Sequence, residues 1–452
     1  MTHRLIMLTP AGAEEDCLFI SKALTDVFGL HDQSTIANLS LGRNRTCLPF
    51  VIIDEESFVI RAPQSAFSEL RIPAAEHMLH AKYQNGELIL GPVAAVLTEA
   101  KSAGGDVHFG SIHEYCEELQ SICTIRGCFF YVFSLHDYKN GSMSGYYYSD
   151  GKWLKADMPY PDVVHNRLHS RRSEKSAAFT ELSADLNLHM VPYFNDRFLD
   201  KWETHQILYA NDYLRPYLPR TELLSTKAGL QDFITAEDTT FIKPVHGSQG
   251  RRILRIIRSE SGYLADHTTF SGEFIREHST FKDLYSHLYP HLKQSSYLIQ
   301  KGIDLLSYRG SAMDFRILCH QKSDYTWKVS SAVARVSGSN QFVSNIAQGG
   351  ELFQPREILS QLYDRNKAYH LRKLLNELSI EVSEVVSAEA GGIFGEFGID
   401  LALDCLGNPW IIEVNTKPSK SDPGLNPLKA RPSAAGIIDF CLYLSRFFDY
   451  EE

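Results

Sequence analysis

The stretch Gly398-Ile-Asp400-Leu-Ala-Leu-Asp404-Cys-Leu-Gly407-Asn-Pro409-Trp-Ile-Ile-Glu413-Val-Asn415 decides how this chain is read. Two runs of alternating apolar residues flank an Asp-Cys-Leu-Gly-Asn-Pro turn, which predicts a β-hairpin. Side chains of a strand alternate faces, so Glu413 and Asn415 share one face while Trp410, Ile412 and Val414 take the other. Asp400 joins the first pair across the ladder. Two carboxylates facing each other across strands repel unless a cation stands between them. Two carboxylates and an amide oxygen, completed by water and phosphate oxygens, suit Mg²⁺ far better than zinc. Taken alone, the hairpin is more simply read as solvated charges at an edge. Its weight comes from what lies upstream.

At 452 residues the chain is too long for one ordinary core and predicts about two to four structural units. A net charge of -10 argues against a protein that coats nucleic acid or binds membranes through a basic patch. The eight cysteines are scattered with no C-x-x-C pair, so reduced thiols are expected rather than a zinc or disulfide framework. The apolar run at Met1–Pro10 is too short for a signal peptide, and Leu88 to Leu97 cannot span a bilayer. The expectation is a cytoplasmic protein.

Short strand-like runs dominate residues 1–105 and predict an N-terminal β-rich domain. Residues 106–200 hold an amphipathic helix (Ile112 to Ile125) and then a buried-strand run (Cys128 to Phe133), the order of a small α/β layer. A helix is expected from Lys201 to Leu214, stopped by Arg215-Pro216. Beyond it strands and helices alternate, and a last apolar helix, Ala434 to Phe448, is expected to pack on the core.

The second landmark is Phe241-Ile-Lys243-Pro244-Val-His246-Gly247-Ser248-Gln249-Gly250-Arg251-Arg252, a strand entering a Gly-rich turn. Glycines let backbone approach a ligand closely, and exposed amides with Ser248 can cradle phosphate. Lys243 adds a point charge for the same anion. This is neither a Walker A loop nor a dinucleotide Gly-x-Gly-x-x-Gly, and a Gly-rich hairpin by itself is more often structural. Downstream, Tyr297-Leu-Ile-Gln300-Lys301-Gly-Ile303-Asp304 reads as a strand running into a loop. Its backbone can face a purine edge while Asp304 accepts from ribose hydroxyls. Two more strands carry Asp314-Phe-Arg316 and Arg335, and Asn345 with Gly349-Gly350 follows in a loop.

In this order the residues resemble the ATP-grasp superfamily, with local likeness to D-alanine:D-alanine ligases and ribosomal-protein glutamate ligases. A narrower resemblance covers most of the chain. Pro161-Asp-Val-Val-His-Asn-Arg167, Ser170-Arg-Arg-Ser-Glu174, Tyr193-Phe-Asn195, Lys201-Trp202-Glu and Leu218-Pro-Arg-Thr221 look like the YheC/YheD group of ATP-grasp proteins, described as endospore coat-associated. The resemblance implies an α/β (α+β) protein. An ATP-grasp domain of two α+β subdomains over 201–452 would hold nucleotide between them, preceded by the small α/β layer and the N-terminal β-rich domain.

It also implies roles. Lys201 and Lys243 match the two nucleotide-binding lysines, with Gly247, Ser248, Gln249 and Gly250 as the phosphate loop. Gln300, Lys301 and Ile303 match the adenine hinge, Asp304 the ribose position, and Asn345 a further position at the nucleotide. Arg316 and Arg335 match arginines facing the transferred phosphate; Asp400, Glu413 and Asn415 match the metal ligands. The implied cofactors are ATP and Mg²⁺, and the implied reaction joins a carboxylate to an amine through an acyl phosphate. Small molecules or peptides are the expected substrates and spore coat proteins the candidate partners, with no nucleic acid and no membrane. A kinase of the same fold, or a coat-associated structural protein without turnover, are the alternatives. A plain dinucleotide oxidoreductase is disfavoured by the missing Gly-x-Gly-x-x-Gly. Lys417 to Gly424 departs from the substrate loops of better-known ligases. His165, Arg167, His169, Arg171 and Arg172 read either as a substrate-carboxylate site or as partners of Glu174 and Glu181 on a solvated helix.

Overall fold

Alternating apolar residues near the N-terminus close a seven-stranded barrel in the order His3–Pro10, Val59–Ala62, Leu18–Ser21, Asn44–Ile53, Ile36–Leu41, Glu87–Gly91, His77–Gln84. Ile6, Leu8, Ile20, Leu39, Ile60, Leu79 and Leu90 fill it. In this computed structural model the described residues are 3–12, 15–30, 36–103, 106–247, 252–269, 272–293, 295–337, 350–420 and 431–448.

After Gly91 the chain enters a second sheet. Its centre is parallel, Phe129–Phe133, Val93–Leu97, Val163–Asn166 and Tyr193–Phe194 in that order. A parallel sheet is buried on both faces, which explains why Val93–Leu97 and Phe129–Phe133 are continuously apolar. Val93, Ala95, Leu97 and Tyr131 face the barrel core. Ala94, Val96, Phe130 and Val132 face helix His113–Ile125 and the C-terminal helix Pro432–Leu444. That last helix also reaches the fourth sheet, where Gly436 lies against His320.

Two α+β units follow. The third sheet is antiparallel, ordered Thr221–Leu223, Tyr297–Lys301, Thr239–Pro244, Leu254–Ser259, Gly262–Thr269, Gly272–His278. Helices Lys227–Ala236 and Phe281–Leu292 cover one of its faces. The fourth is ordered Glu351–Phe353, Trp327–Val336, Ser311–Gln321, Glu396–Leu403, Pro409–Asn415 and packs on the long helix Arg365–Glu389. Between the two, helix Lys201–Ala210 is capped by Asp200, which accepts from Trp202 N and Glu203 N at 2.9 Å. It stops four residues before the expected Leu214. The Asn211 side chain takes Tyr213 N and Leu214 N at 2.9 and 3.0 Å and turns the chain out of the helix.

The hairpin strands are bolted to the second sheet from below. Asn195 stands just past Tyr193–Phe194 with φ 50 and is fully buried. Its side chain donates to the carbonyls of Glu396 and Thr416 at 2.8 and 2.5 Å, and accepts from Gly395 N at 3.1 Å. Beside it the buried Glu396 carboxylate meets Arg167 at 2.8 Å, Lys420, His165 at 3.5 Å and His320 at 3.3 Å. Burial alone would raise the Glu396 pKa, but Lys420 and Arg167 outweigh it and hold the carboxyl well below its usual range. Burial pushes His165 down to about 4, so it stays neutral.

Removing one partner of a buried ion cluster leaves the others desolvated without compensation. Glu396→Ala is therefore expected to cost about 3–5 kcal/mol, more than any surface Glu→Ala change. Chemical denaturation of the full chain measures this, and a loss below about 1 kcal/mol would show that the cluster carries no such weight.

Candidate functional site

The hairpin forms as the alternation requires, with a difference that matters. Asp400 pairs with Glu413 and Gly398 with Asn415, so the two carboxylates and the amide lie together on one face. Between Asp400 and Leu401 the register shifts, and Leu401 pairs with Ile411 rather than Ile412. One extra residue reverses the alternation. Ile411 and Val414 are buried in the core, while Trp410 and Ile412, expected on the same side as Val414, are turned outward and only partly covered. Asp404 organises the turn, accepting from Leu406 N at 3.0 Å, Asn408 N at 2.8 Å and Trp410 Nε1 at 3.2 Å.

On the neighbouring strand Arg316 stands opposite Asp400, and one strand further Arg335 stands opposite Asp314. Arg316 grips Asp400 through two nitrogens, Nη2 to Oδ2 at 2.9 Å and Nε to Oδ1. Arg335 holds Asp314 with Nε and Nη2 at 2.7 and 2.6 Å and reaches Asp400 at 3.2 Å. Burial would raise Asp400, yet Arg316 and Arg335 hold it below the ordinary carboxylate value. Burial would lower Arg335, and Asp400 with Asp314 more than reverse that. Asp314 was visible in the Asp-x-Arg pattern, but nothing in the sequence gave it a partner.

Lys201 and the third sheet contribute the other side. Lys201, the first residue of its helix, donates to Glu413 Oε1 at 2.5 Å and to the carbonyl of Gly247 at 3.1 Å. One ammonium thus joins the hairpin to the turn after strand Thr239–Pro244. Lys243 donates to Gln300 Oε1 at 2.5 Å, and Gln300 Nε2 donates to Thr221 Oγ1 at 3.0 Å. Burial lowers Lys243 to about 8, Lys201's charge adding to the shift and Glu413 opposing it.

Other expected residues stand differently. Lys301 turns its ammonium to Glu237 at 3.2 Å, and its backbone N–H donates to the Arg220 carbonyl. Ile303 and Asp304 lie where the chain crosses from the third sheet to the fourth, Asp304 exposed and its carbonyl accepting from Cys405 N at 3.2 Å. Ser248, Gln249, Gly250 and Asn345 lie outside the described residues. The basic cluster follows neither of its two readings as a whole. Arg167 points inward to Glu396 and to the Pro418 carbonyl at 2.8 Å, and Arg171 donates to the carbonyls of Phe198 and Leu199. Glu174 instead takes Lys417, whose ammonium also lies 4.7 Å from the centroid of the Phe198 ring.

Two carboxylates in register with an amide oxygen two residues on are a donor set suited to a hard divalent ion. Among the described residues, no group of three His, Cys, Asp or Glu side chains is gathered as a ready metal cage. Lys201, Arg316 and Arg335 neutralise the hairpin carboxylates instead.

A family model described as YheC/D like ATP-grasp matches residues 190–444, more than half of the chain. The chain belongs to this family. Its fold is ATP-grasp, an α/β architecture here preceded by the barrel and the parallel sheet. Endospore coat-associated protein YheD of Bacillus subtilis (strain 168) is 26% identical over 366 residues, 79% of each chain. YheC of the same organism is 20% identical over 286 residues, 61% of this chain and 76% of YheC. Among solved structures, ATP-grasp ligase PsnB complexed with a phosphomimetic variant of minimal precursor, Mg and ADP has a TM-score of 0.44 at 12% identity, covering 79% of this chain and 99% of PsnB. D-alanyl-alanine synthetase A from Vibrio cholerae O1 biovar eltor has a TM-score of 0.46 at 13% identity, covering 78% and 98%.

The electrostatics of the cleft can be checked directly. Lys243 is expected to titrate near 8 rather than at its ordinary 10.5, followed by NMR of its side-chain carbons. Lys201→Met removes a like charge and raises that value; Glu413→Gln removes a favourable one and lowers it. An unshifted Lys243 in the unmodified chain would contradict its burial.

Proposed function

We propose that this ATP-grasp protein is a Mg-ATP-dependent carboxylate-amine ligase. The observation that carries the proposal is the gathering of Arg316, Arg335 and Lys201 on the hairpin carboxylates, with Lys201 also bridging Glu413 to Gly247 after the third-sheet strand. Phosphoryl transfer asks a protein for little covalent chemistry and much placed charge. The Gly-rich turn with Lys201 and Lys243 would hold the phosphates, and the backbone from Gln300 to Ile303 the base, with Asp304 at the ribose. Gly247, Ser248, Gln249, Gly250 and Asn345 join that set on sequence grounds. Asp400, Glu413 and Asn415 would hold Mg²⁺, which supplies charge neutralisation and orientation of the phosphates when bound.

In the reaction a substrate carboxylate oxygen attacks the γ-phosphorus, the bond to the β-phosphate oxygen breaks, and ADP departs. Arg316 and Arg335 stabilise the charge on the transferred group. An amine nitrogen then attacks the acyl carbon, inorganic phosphate leaves, and the amine gives up a proton. The Asp400 and Glu413 ion pairs must exchange partners for this, so the cleft is compensated before ligand arrives and recharged by it.

One observation favours a second reading. The site's carboxylates are already satisfied by protein cations, a state that a coat-associated protein without turnover would also tolerate. YheD and YheC carry coat-associated names. Under this reading the chain partners spore coat proteins.

ADP release with Mg-ATP, a panel of carboxylates and an amine separates the two. The ligase reading expects carboxylate-stimulated ADP release, reduced about 100-fold or more by Arg335→Gln; none above the buffer rate across the panel supports the coat reading. Stimulation by hydroxyl compounds instead would make the protein a kinase. Nucleotide affinity should also fall as pH rises through about 8, where Lys243 loses its charge. In Lys243→Ala that slope should flatten, and a slope unchanged in the variant would remove Lys243 from the phosphate site.

A further inference from the structure

A crevice of about 270 Å³ lies between the barrel and the α/β layer, away from the hairpin, lined by Arg43, Asn44, Arg71, Met158, Tyr160 and His189 among others. Two arginines face it from different elements. Arg71 closes helix Gln64–Leu70 with φ 57, a left-handed position where glycine or asparagine is the less strained choice. Its Nη1 donates across the crevice to Ser142 Oγ at 2.8 Å. The Arg43 guanidinium carbon lies 5.4 Å from the centroid of the Tyr160 ring. Among the described residues neither guanidinium is in an ion pair with a carboxylate. Asp185, the carboxylate next to this wall, is taken by the Tyr160 hydroxyl at 2.6 Å and by His189 at 3.4 Å.

The residues flanking Arg43 are fixed. Gly42 (φ 56) approaches the Tyr160 backbone so closely that a Cβ there would stand 2.0 Å from its carbonyl oxygen. On the other side Asn44 Oδ1 accepts from Tyr160 N at 3.2 Å, and Asn44 Nδ2 donates to the Glu69 carbonyl at 3.3 Å. The backbone that presents Arg43 is therefore held in place before any ligand arrives, and a planar guanidinium is suited to binding an oxyanion through paired N–H groups.

We propose that this crevice is a second ligand site, binding a small molecule with a phosphate or carboxylate group between Arg43 and Arg71. The site does not depend on the reading of the nucleotide cleft. Calorimetry of the full chain with inorganic phosphate, O-phosphoserine and citrate tests it in Lys243→Ala, which removes a phosphate contact assigned to the nucleotide site, with and without Arg43→Gln/Arg71→Gly. Glycine at 71 suits the left-handed backbone, so the double variant should fold, which its thermal transition checks. Binding of at least one probe is expected in Lys243→Ala, weakened about tenfold or more when the double variant is added to it. Response to the phosphates alone assigns a phosphate ligand, and response to citrate alone a carboxylate one. No binding of any probe at millimolar concentration in Lys243→Ala, or binding there that survives addition of the double variant, overturns the proposal.

Discussion

The buried Glu396 carboxylate is the constraint on which the arrangement of the cleft depends. A desolvated charge is tolerated only where its partners are held in good geometry. Here the partners come from three directions: Arg167 from the parallel sheet, His320 from the adjacent strand and Lys420 from the segment past the hairpin. Each is fixed by the need to stay near the same carboxylate. Strand Glu396–Leu403 is thereby held relative to the α/β layer. Glu396, Gly398 and Asp400 occupy one face of it, two residues apart. The first anchors and the last faces Arg316. Gly398 between them leaves room for Pro418, whose Cβ would stand 2.8 Å from any Cβ at that position. A structural charge and a candidate functional one thus share a single rigid strand.

Much of this was legible where the pattern is local. Strands with period-two alternation, the apolar runs of the parallel sheet and the pairing of Asp400 with Glu413 follow from residues close in sequence. The long-range ion pairs were not. Arg167 and Glu396 are 229 positions apart, and no spacing rule links them. Asp314 is similar: its partner Arg335 is set by strand register, which the sequence does not state. A charge at the head of a strand apolar but for Asp400, as in Glu-Phe-Gly-Ile-Asp-Leu-Ala-Leu, was the available sign that Glu396 required buried partners. The extent of helix Lys201–Ala210 was missed for another reason, a side-chain turn at Asn211 competing with the next helical bond.

The cations of the cleft divide by origin. Arg316 and Arg335 belong to the fourth sheet and meet carboxylates of their own sheet. Lys243 belongs to the third and meets a neutral amide. Lys201 alone among these four spans both, because its helix leaves the second sheet and starts beside the Gly247 turn. Its two contacts, with Gly247 and Glu413, therefore depend on the separation of the two sheets, while the arginine pairs lie wholly within the fourth.

The extra residue in strand Pro409–Asn415 separates two functions along one hairpin. Turnward of it, the alternation is set by the Asp404–Asn408 turn and the need to bury Ile411. Beyond it, the alternation is set by Val414 in the core and Glu413 above it. A strand without the bulge would tie both to one parity, so burying Ile411 would carry Glu413 to the core face with it. With it, Ile411 and Val414 both enter the core while Glu413 keeps its place beside Asp400. The bulge uncouples the parity of the turn-side residues from that of the paired charges.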